Sequence, residues 1–382
     1  MLLYIRYLKK SKETFMKIID EILEGFVLPY HFKDDIQESD LLFFDIETTG
    51  FTARSSNLYL IGCAYKEEEN WHVKQFFAEN TGEEAEIIHA FFALAKNYKH
   101  LVHFNGNQFD LPYVTQKCEQ LGLDYTFDNF SGIDIYKRIS PYKFFLKLPN
   151  CKQKTIEHFL GIHREDMYTG GELIKIYKEY TENPTKEALD LLLLHNADDM
   201  KGMLHIVSVL VYHDLFNGDI RARKVQINSY TDVNGIVQKE LFMKIHLTTP
   251  LPVATSFMSN NCYFTGDGDV AALKVPLYEE ELKYFYSNYK DYYYLPEEDL
   301  AMHKSVATFV DADCREKATA RNCYTRKQST YLPQWGYVFE PFFKRDYDSK
   351  DLFFELTDEF KADRTCFNTY AKHVLEMMLE NY

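Results

Sequence analysis

Asp45 and Glu47 stand two apart in Asp45-Ile46-Glu47-Thr48-Thr49-Gly50, directly after the apolar run Leu41-Leu42-Phe43-Phe44. Side chains alternate along a strand, so both acids project to one side while Phe44 and Ile46 point to the other. Two carboxylates ending a core strand are costly to desolvate without a compensating charge, and hard divalent ions such as Mg²⁺ or Mn²⁺ take oxygen ligands of this kind. Read alone, the same residues describe equally well a strand running into an exposed turn. A further acid, Asp110, ends the stretch His103-Phe104-Asn105-Gly106-Asn107-Gln108-Phe109-Asp110, where a strand gives way to a glycine-containing loop and a helix. Asp110 is placed to cap that helix, and a cap at a strand's carboxyl end also faces the crevice where open α/β sheets bind ligands. Asn105 and Gly106 fit either a plain turn or a close backbone approach to a substrate. A third piece is Leu194-His195-Asn196-Ala197-Asp198-Asp199. His195 and Asp199, four apart, share one helical face. Singly, each of these is ordinary; in this order they supply four carboxylates and one imidazole that a single fold can gather, with Asp198 as the alternative ligand if the helix is rotated.

The elements that must position them are readable from periodicity. Strands are expected over 41–47, 57–65, 71–77, 100–104 and 132–136, and helices over 83–97, 111–121, 155–160 and 171–180, with one long helix over 186–215. Phe15, Ile18, Ile19, Ile22 and Leu23 recur at helical spacing between Ser11 and Gly25, which predicts an amphipathic helix ahead of an acidic linker. Strands alternating with helices after an initial hairpin predict a mixed α/β sheet. The helical pattern stops around Asn217 and Gly218. The expected organisation is therefore an amino-terminal helix and linker over 1–39, an α/β domain over 40–216, and an α+β domain of unrecognised fold over 217–382. In the last, strands are expected over 224–230 and 239–247 and helix over 351–382. Its tyrosines at 284, 286, 289, 292, 293 and 294 are read as strand and core packing.

Composition narrows the function classes. The chain has 382 residues, 46% of them hydrophobic, which excludes a disordered polypeptide, and a formal charge of -15, which argues against coating nucleic acid through a broad basic surface. Seven scattered cysteines without a Cys-x-x-Cys pair read as reduced thiols. With Lys9 and Lys10 interrupting the apolar start and only a short apolar run from Met203 to Tyr212, a cytoplasmic protein without a membrane span is expected.

Taken together, the motifs resemble the DEDD superfamily of ribonuclease-H-like 3′-to-5′ exonucleases, and most closely the YprB-type bacterial ribonuclease-H-like family. Leu148-Pro149-Asn150-Cys151, Thr155-Ile156-Glu157 and Gly161-Ile162-His163-Arg164-Glu165-Asp166 are also similar to that family, and the likeness runs over about residues 40 to 215. The resemblance implies a ribonuclease-H-like mixed five-stranded sheet flanked by helices, with Asp45, Glu47, Asp110 and Asp199 as metal ligands. It also implies two Mg²⁺ or Mn²⁺ ions about 3.5–4 Å apart that clamp the attacking and leaving oxygens of an in-line phosphodiester displacement. His195 would take the proton from water, since imidazoles titrate near neutrality. The histidine subclass separates His from Asp by five positions; this chain has four, the spacing usual for the tyrosine subclass, so a different group remains an alternative base. The implied partner is a single-stranded DNA or RNA end, with a helicase or repair protein as a second candidate. The alternatives are a structure-selective endonuclease on the same scaffold and a catalytically silent nucleic-acid-binding or protein-binding module.

Candidate substrate contacts are Thr48 and Thr49 after the acid pair, Asn105, Gly106 and Phe109 around the second motif, and Lys143 and Lys154. The last two belong to a segment with six basic residues (Lys137, Arg138, Lys143, Lys147, Lys152, Lys154) and no acid, interleaved with Tyr142, Phe144 and Phe145. Cations with aromatic rings suit a single strand, and a solubilising loop with apolar anchors explains the segment as well. A second basic set, Arg315, Lys317, Arg321, Arg326 and Lys327 around Tyr324, is a candidate extension of the same path.

Overall fold

Six segments rich in β-branched and aromatic residues form one mixed sheet: β1 (Lys17–Leu23), β2 (Leu41–Thr48), β3 (Leu58–Glu67), β4 (Asn70–Phe77), β5 (His100–His103) and β6 (Ser131–Asp134). The computed structural model describes residues 16–33, 36–164, 168, 170–218 and 220–380, and its contacts divide the chain between His213 and Asp214 into two units. In the first unit the strand order is β1-β4-β3-β2-β5-β6, antiparallel from β1 to β2 and parallel from β2 to β6. The helices are α1 (Glu84–Ala95), α2 (Asp110–Leu121), α3 (Ile135–Ile139), α4 (Gln153–Phe159), α5 (Gly170–Glu182) and α6 (Lys186–Ile206).

Strand β2 lies inside the sheet, which explains its unbroken buried run from Leu41 to Phe44. Leu42, Phe44 and Ile46 pack with Ile87, Phe91, Tyr113 and Val114 of α1 and α2. On the opposite face, Tyr59, Leu60 and Phe77 pack with Leu173, Tyr177 and Leu192 of α5 and α6. Both faces are thus covered, and Asp45 and Glu47 point to the side where α6 lies. At the end of β2 the register with β3 shifts between Glu47 and Thr48, a bulge just after the acids, beyond which Thr48 pairs with Leu58.

Two expected elements of the first unit differ. Residues 17–23 are not helical; they form β1, an edge strand paired with β4 from Lys17↔Phe77 to Leu23↔Trp71, and make the sheet six-stranded. Ile18 packs against one core and Ile19 against the other, as a period of two requires. Asp20 ion-pairs with Lys74 at 2.8 Å and lies 3.0 Å from His72 Nδ1, and Glu21 ion-pairs with Lys201 at 2.8 Å. Cross-strand partners with β-branched isoleucines outweigh the helical spacing of Ile18, Ile19, Ile22 and Leu23. Ser11 and Phe15, part of the helical expectation, lie outside the described residues, as do Asp34, Glu165 and Asp166. The long helix over 186–215 is interrupted: α6 ends at Ile206, a 3₁₀ turn spans Val207–Val209, and α7 (Leu210–Asn217) follows. Ser208 Oγ donates to the His205 carbonyl at 3.1 Å amid β-branched Val207, Val209 and Val211, a combination that disfavours regular α-helix.

The second unit is built on an antiparallel sheet whose largest hairpin joins Val237–Ser259 to Cys262–Phe285. The segment 352–355, expected as helix, is a strand paired with Tyr331–Gln334, because Leu352, Phe353 and Phe354 are buried; helices follow at Asp358–Ala362 and Arg364–Glu380. Tyr286, Tyr289, Tyr292 and Tyr294 pack around Ala301, Ala318 and Cys323. Among the described residues no helix is long and apolar enough to cross a membrane.

Candidate active site

The three motifs meet. Asp45, Ile46, Glu47, Phe104, Asn105, Phe109, Asp110, His195 and Asp199 line one pocket of about 280 Å³ at the carboxyl end of β2. Ligand atoms of Glu47, His195 and Asp199 all lie within 4.8 Å of one another. His195 Nε2 is 3.3 Å from Asp199 Oδ2 and 3.7 Å from Glu47 Oε1. Asp198 is not among the pocket's lining residues.

Asp110 is the first residue of α2 and not its cap, which is Phe109. The reason is a longer-range bond: the Ile46 N–H donates to Asp110 Oδ1 at 3.2 Å, fastening the α2 start to β2. Burial pushes the Asp110 carboxyl up to about 7, and the charge of Asp134 adds to this against backbone hydrogen bonds that oppose it. Asp45 is pushed well above the usual carboxylate range, first by burial and then by the negative charges of Asp110, Asp199 and Glu47, with Arg164 opposing. Crowded oxygen donors whose mutual repulsion resists ionisation are the environment a hard divalent cation relieves, so these residues fit Mg²⁺ or Mn²⁺.

The Asn105 loop is held from beneath. Asp134, at the end of β6, accepts from the Asn105 N–H at 3.0 Å and the Asn107 N–H at 3.4 Å. Asn105 adopts a left-handed φ of 63°, which an asparagine tolerates. Gly106 is buried and does not line the pocket; its N–H donates to His103 Nδ1 at 3.1 Å, and a Cβ there would come within 2.7 Å of the His103 ring. Its glycine is required by packing on His103. Thr48 and Thr49 shape the turn beyond the acids: Thr48 Oγ1 donates to the Gly50 carbonyl at 2.9 Å, and Thr49 Oγ1 accepts from the Asn57 N–H at 2.8 Å. Lys143 and Lys154 also lie outside the pocket lining. Lys143 Nζ sits 5.2 Å from the centre of the Phe144 ring, and Lys154 donates to the Tyr168 carbonyl at 3.2 Å. Their segment combines exposed Lys137, Lys147, Lys152 and Phe144 with buried Phe145, Leu146 and Leu148. In the second unit, Arg321 pairs with Asp348, Arg326 with Glu281 at 3.2 Å and Lys327 with Glu355 at 2.7 Å, so three cations of the second basic set face acids of their own unit.

Residues that sequence reasoning passed over complete the site. Asn196, fully buried, donates through Nδ2 to Asp45 Oδ2 at 3.2 Å and accepts at Oδ1 from Gln75 Nε2 at 3.0 Å. Asp45, Gly62 and Gln75 are direct cross-strand neighbours on β2, β3 and β4. Asn196 lies over the middle one, and a Cβ on Gly62 would fall on its Oδ1. A glycine inside a strand marks such a close approach, and that was the available signal. Gly62→Ala should cost about 1–3 kcal/mol, the usual range for overpacking, by displacing Asn196 from both bonds; urea denaturation in EDTA measures it, and unchanged stability would show that Asn196 yields freely. Phe51, 89% exposed, extends the pocket's aromatic rim, with its ring 6.2 Å from that of Phe109.

Residues 42–211 match the family model described as the RNase_H superfamily. Among solved structures, the chain is similar to the family B DNA polymerase of Pyrobaculum calidifontis, with 13% identity over 67% of this chain and 36% of that one, at a TM-score of 0.35. It is also similar to E. coli exonuclease I in a zinc-bound complex with single-stranded DNA, with 10% identity over 55% of each chain, at a TM-score of 0.28. The chain thus spans only about a third to a half of these proteins. No curated protein matches it. The six-stranded mixed sheet flanked by helices, carrying that family match, makes the first unit a ribonuclease-H-like domain.

Proposed function

We propose that the first unit is a divalent-metal-dependent nuclease that removes nucleotides from the 3′ end of a single-stranded nucleic acid by a two-metal mechanism. The observation that carries this reading is the convergence of Asp45, Glu47, Asp110 and Asp199 with His195 on one pocket, from three separate segments of the chain. Asp45, Glu47, Asp110 and Asp199 would hold two Mg²⁺ or Mn²⁺ ions, which when bound neutralise the phosphodiester and lower the pKa of a water. His195 Nε2, facing Glu47 and Asp199, is placed to take the proton of an attacking water. Asn196 fixes the Asp45 carboxylate, and the Ile46 N–H fixes Asp110, so both acids are oriented before substrate arrives. Phe104, Asn105 and Phe109 line the pocket, and exposed Phe51 beside Phe109 offers a ring on which a terminal base stacks. Lys137, Lys143, Lys152 and Lys154 follow β6 in the chain and supply cations for the phosphates of the strand behind that base.

The test is incubation of the full chain with end-labelled single-stranded DNA and RNA in Mg²⁺, Mn²⁺ or EDTA. A ladder of products shortened from the 3′ end, present with metal and absent in EDTA, is expected. Cleavage of a circular single strand would replace the exonuclease reading with an endonuclease on the same site, and no metal-dependent cleavage of any substrate would remove both.

A further inference from the structure

A buried ion pair beside the pocket has no part in the mechanism above. Glu157 of α4, 1% exposed, and Arg164, in the loop after α4, face each other with the guanidinium fork on the carboxylate. Arg164 Nε donates to Glu157 Oε2 and Nη2 to Glu157 Oε1 at 2.5 Å. The third side of the guanidinium, Nη1, donates to Asp199 Oδ1. The pair has a built cradle. Gln153 Nε2 donates to Glu157 Oε1 at 3.0 Å and to the Asp199 carbonyl at 2.9 Å, and a Cβ on Gly202 of α6 would fall on Glu157 Oε1. A planar fork engaged on two sides leaves its remaining N–H in a fixed direction, which a lysine cannot reproduce.

Asp199 therefore has its two oxygens assigned to different tasks. Oδ1 is taken by Arg164, while Oδ2 lies 3.3 Å from His195 Nε2 in the cluster with Glu47. We infer that Glu157 and Arg164 form a positioning clamp that holds the Asp199 carboxylate so that it offers a single oxygen, Oδ2, to the divalent cation. The inference rests on the metal-site reading above and adds a geometric requirement to it. Its chemistry is that of an outer hydrogen-bonding group that orients a ligand, whose loss typically weakens metal binding about 10- to 100-fold.

Removing one partner alone strands a buried charge and threatens the fold, so the decisive variant removes both: Glu157→Gln/Arg164→Met. Calorimetric titration of the full chain with Mn²⁺ alone, without nucleic acid, is the readout, with melting in EDTA recorded in parallel. The clamp predicts Mn²⁺ affinity about 10- to 100-fold below wild type in this double variant, an intermediate loss in Arg164→Lys, which keeps the charge without the fork, and a loss in Gly202→Ala, which changes no charge at all. A role confined to folding predicts lower melting temperatures and wild-type Mn²⁺ affinity in the folded protein, and that result overturns the clamp. Should the double variant fail to fold, wild-type affinity in Arg164→Lys and Gly202→Ala overturns it equally. Failure of the underlying reading looks different: wild type binding no Mn²⁺, or Asp199→Asn binding it as tightly as wild type, removes the metal site itself and the clamp with it.

Discussion

Asp45→Asn lowers metal-dependent cleavage by about 10³-fold or more, the scale on which losing a preorganised charge stabiliser registers, while its melting temperature in EDTA equals or exceeds that of wild type. Activity falls because a neutral amide neither attracts a cation nor contributes charge to the cluster. Stability holds because the carboxylate is pushed up by burial and by Asp110, Asp199 and Glu47, so neutralising it relieves repulsion, and the amide oxygen still accepts from Asn196 Nδ2. Asp199→Asn loses activity on the same scale, but it also weakens the contact with Arg164, so its melting point drops. Single-turnover cleavage of end-labelled strands with Mn²⁺, beside thermal melts in EDTA, checks both variants. Full activity in either would falsify the assignment of that acid.

The second large effect is a stability that runs against pH when metal is withheld. In the unfolded chain Asp110 and Asp45 lose their protons near pH 4. In the fold, burial followed by the charge of Asp134 pushes Asp110 up to about 7, and burial followed by its acidic neighbours pushes Asp45 in the same direction. Between about pH 4 and 7 the folded state keeps the Asp110 proton that the unfolded chain has lost, so the stability this group contributes is fully present below about pH 4 and is lost as pH rises through 7, and Asp45 acts in the same direction. Urea denaturation in EDTA should therefore show the protein less stable at pH 8 than at pH 5, by an amount on the order of a few kcal/mol. Saturating Mn²⁺ reverses the slope, because the cation binds only the deprotonated donors. Asp110→Asn isolates the contribution: it should flatten the pH dependence in EDTA, and an unaltered slope in that variant would assign the effect to other groups.

Much of the pocket was legible because two regular periods set it. The alternation of β2 put Asp45 and Glu47 on one side, and the four-residue spacing on α6 put His195 and Asp199 on one face. What escaped was encoded in single residues whose partners lie far along the chain. Asn196 and Gln75 are 121 positions apart, and nothing local to either announces the bond. Arg164 and Glu157 stood within a stretch noted for family likeness, yet no chemistry follows from their spacing, since it is the loop after α4 that turns the guanidinium back onto Glu157 and Asp199. β1 was misread for a different reason. Half-buried on both faces at the sheet edge, it shows neither strict alternation nor a continuous apolar run, and its isoleucines mimic a helical stripe. In the second unit, Leu352–Glu355 is too short for periodicity to separate it from the helices that follow.

The edge position of β1 bears on how the domain is dissected. Cutting at residue 40, where the family likeness begins, discards the strand that pairs with β4 from Trp71 to Phe77. The severed sheet would then display a bare row of backbone donors and acceptors beside Lys74, robbed of its Asp20 partner, a template for pairing with other chains. An expressed fragment meant to isolate the first unit should start ahead of Lys17, and one beginning at Asp40 is expected to aggregate on light scattering where the longer fragment stays dispersed.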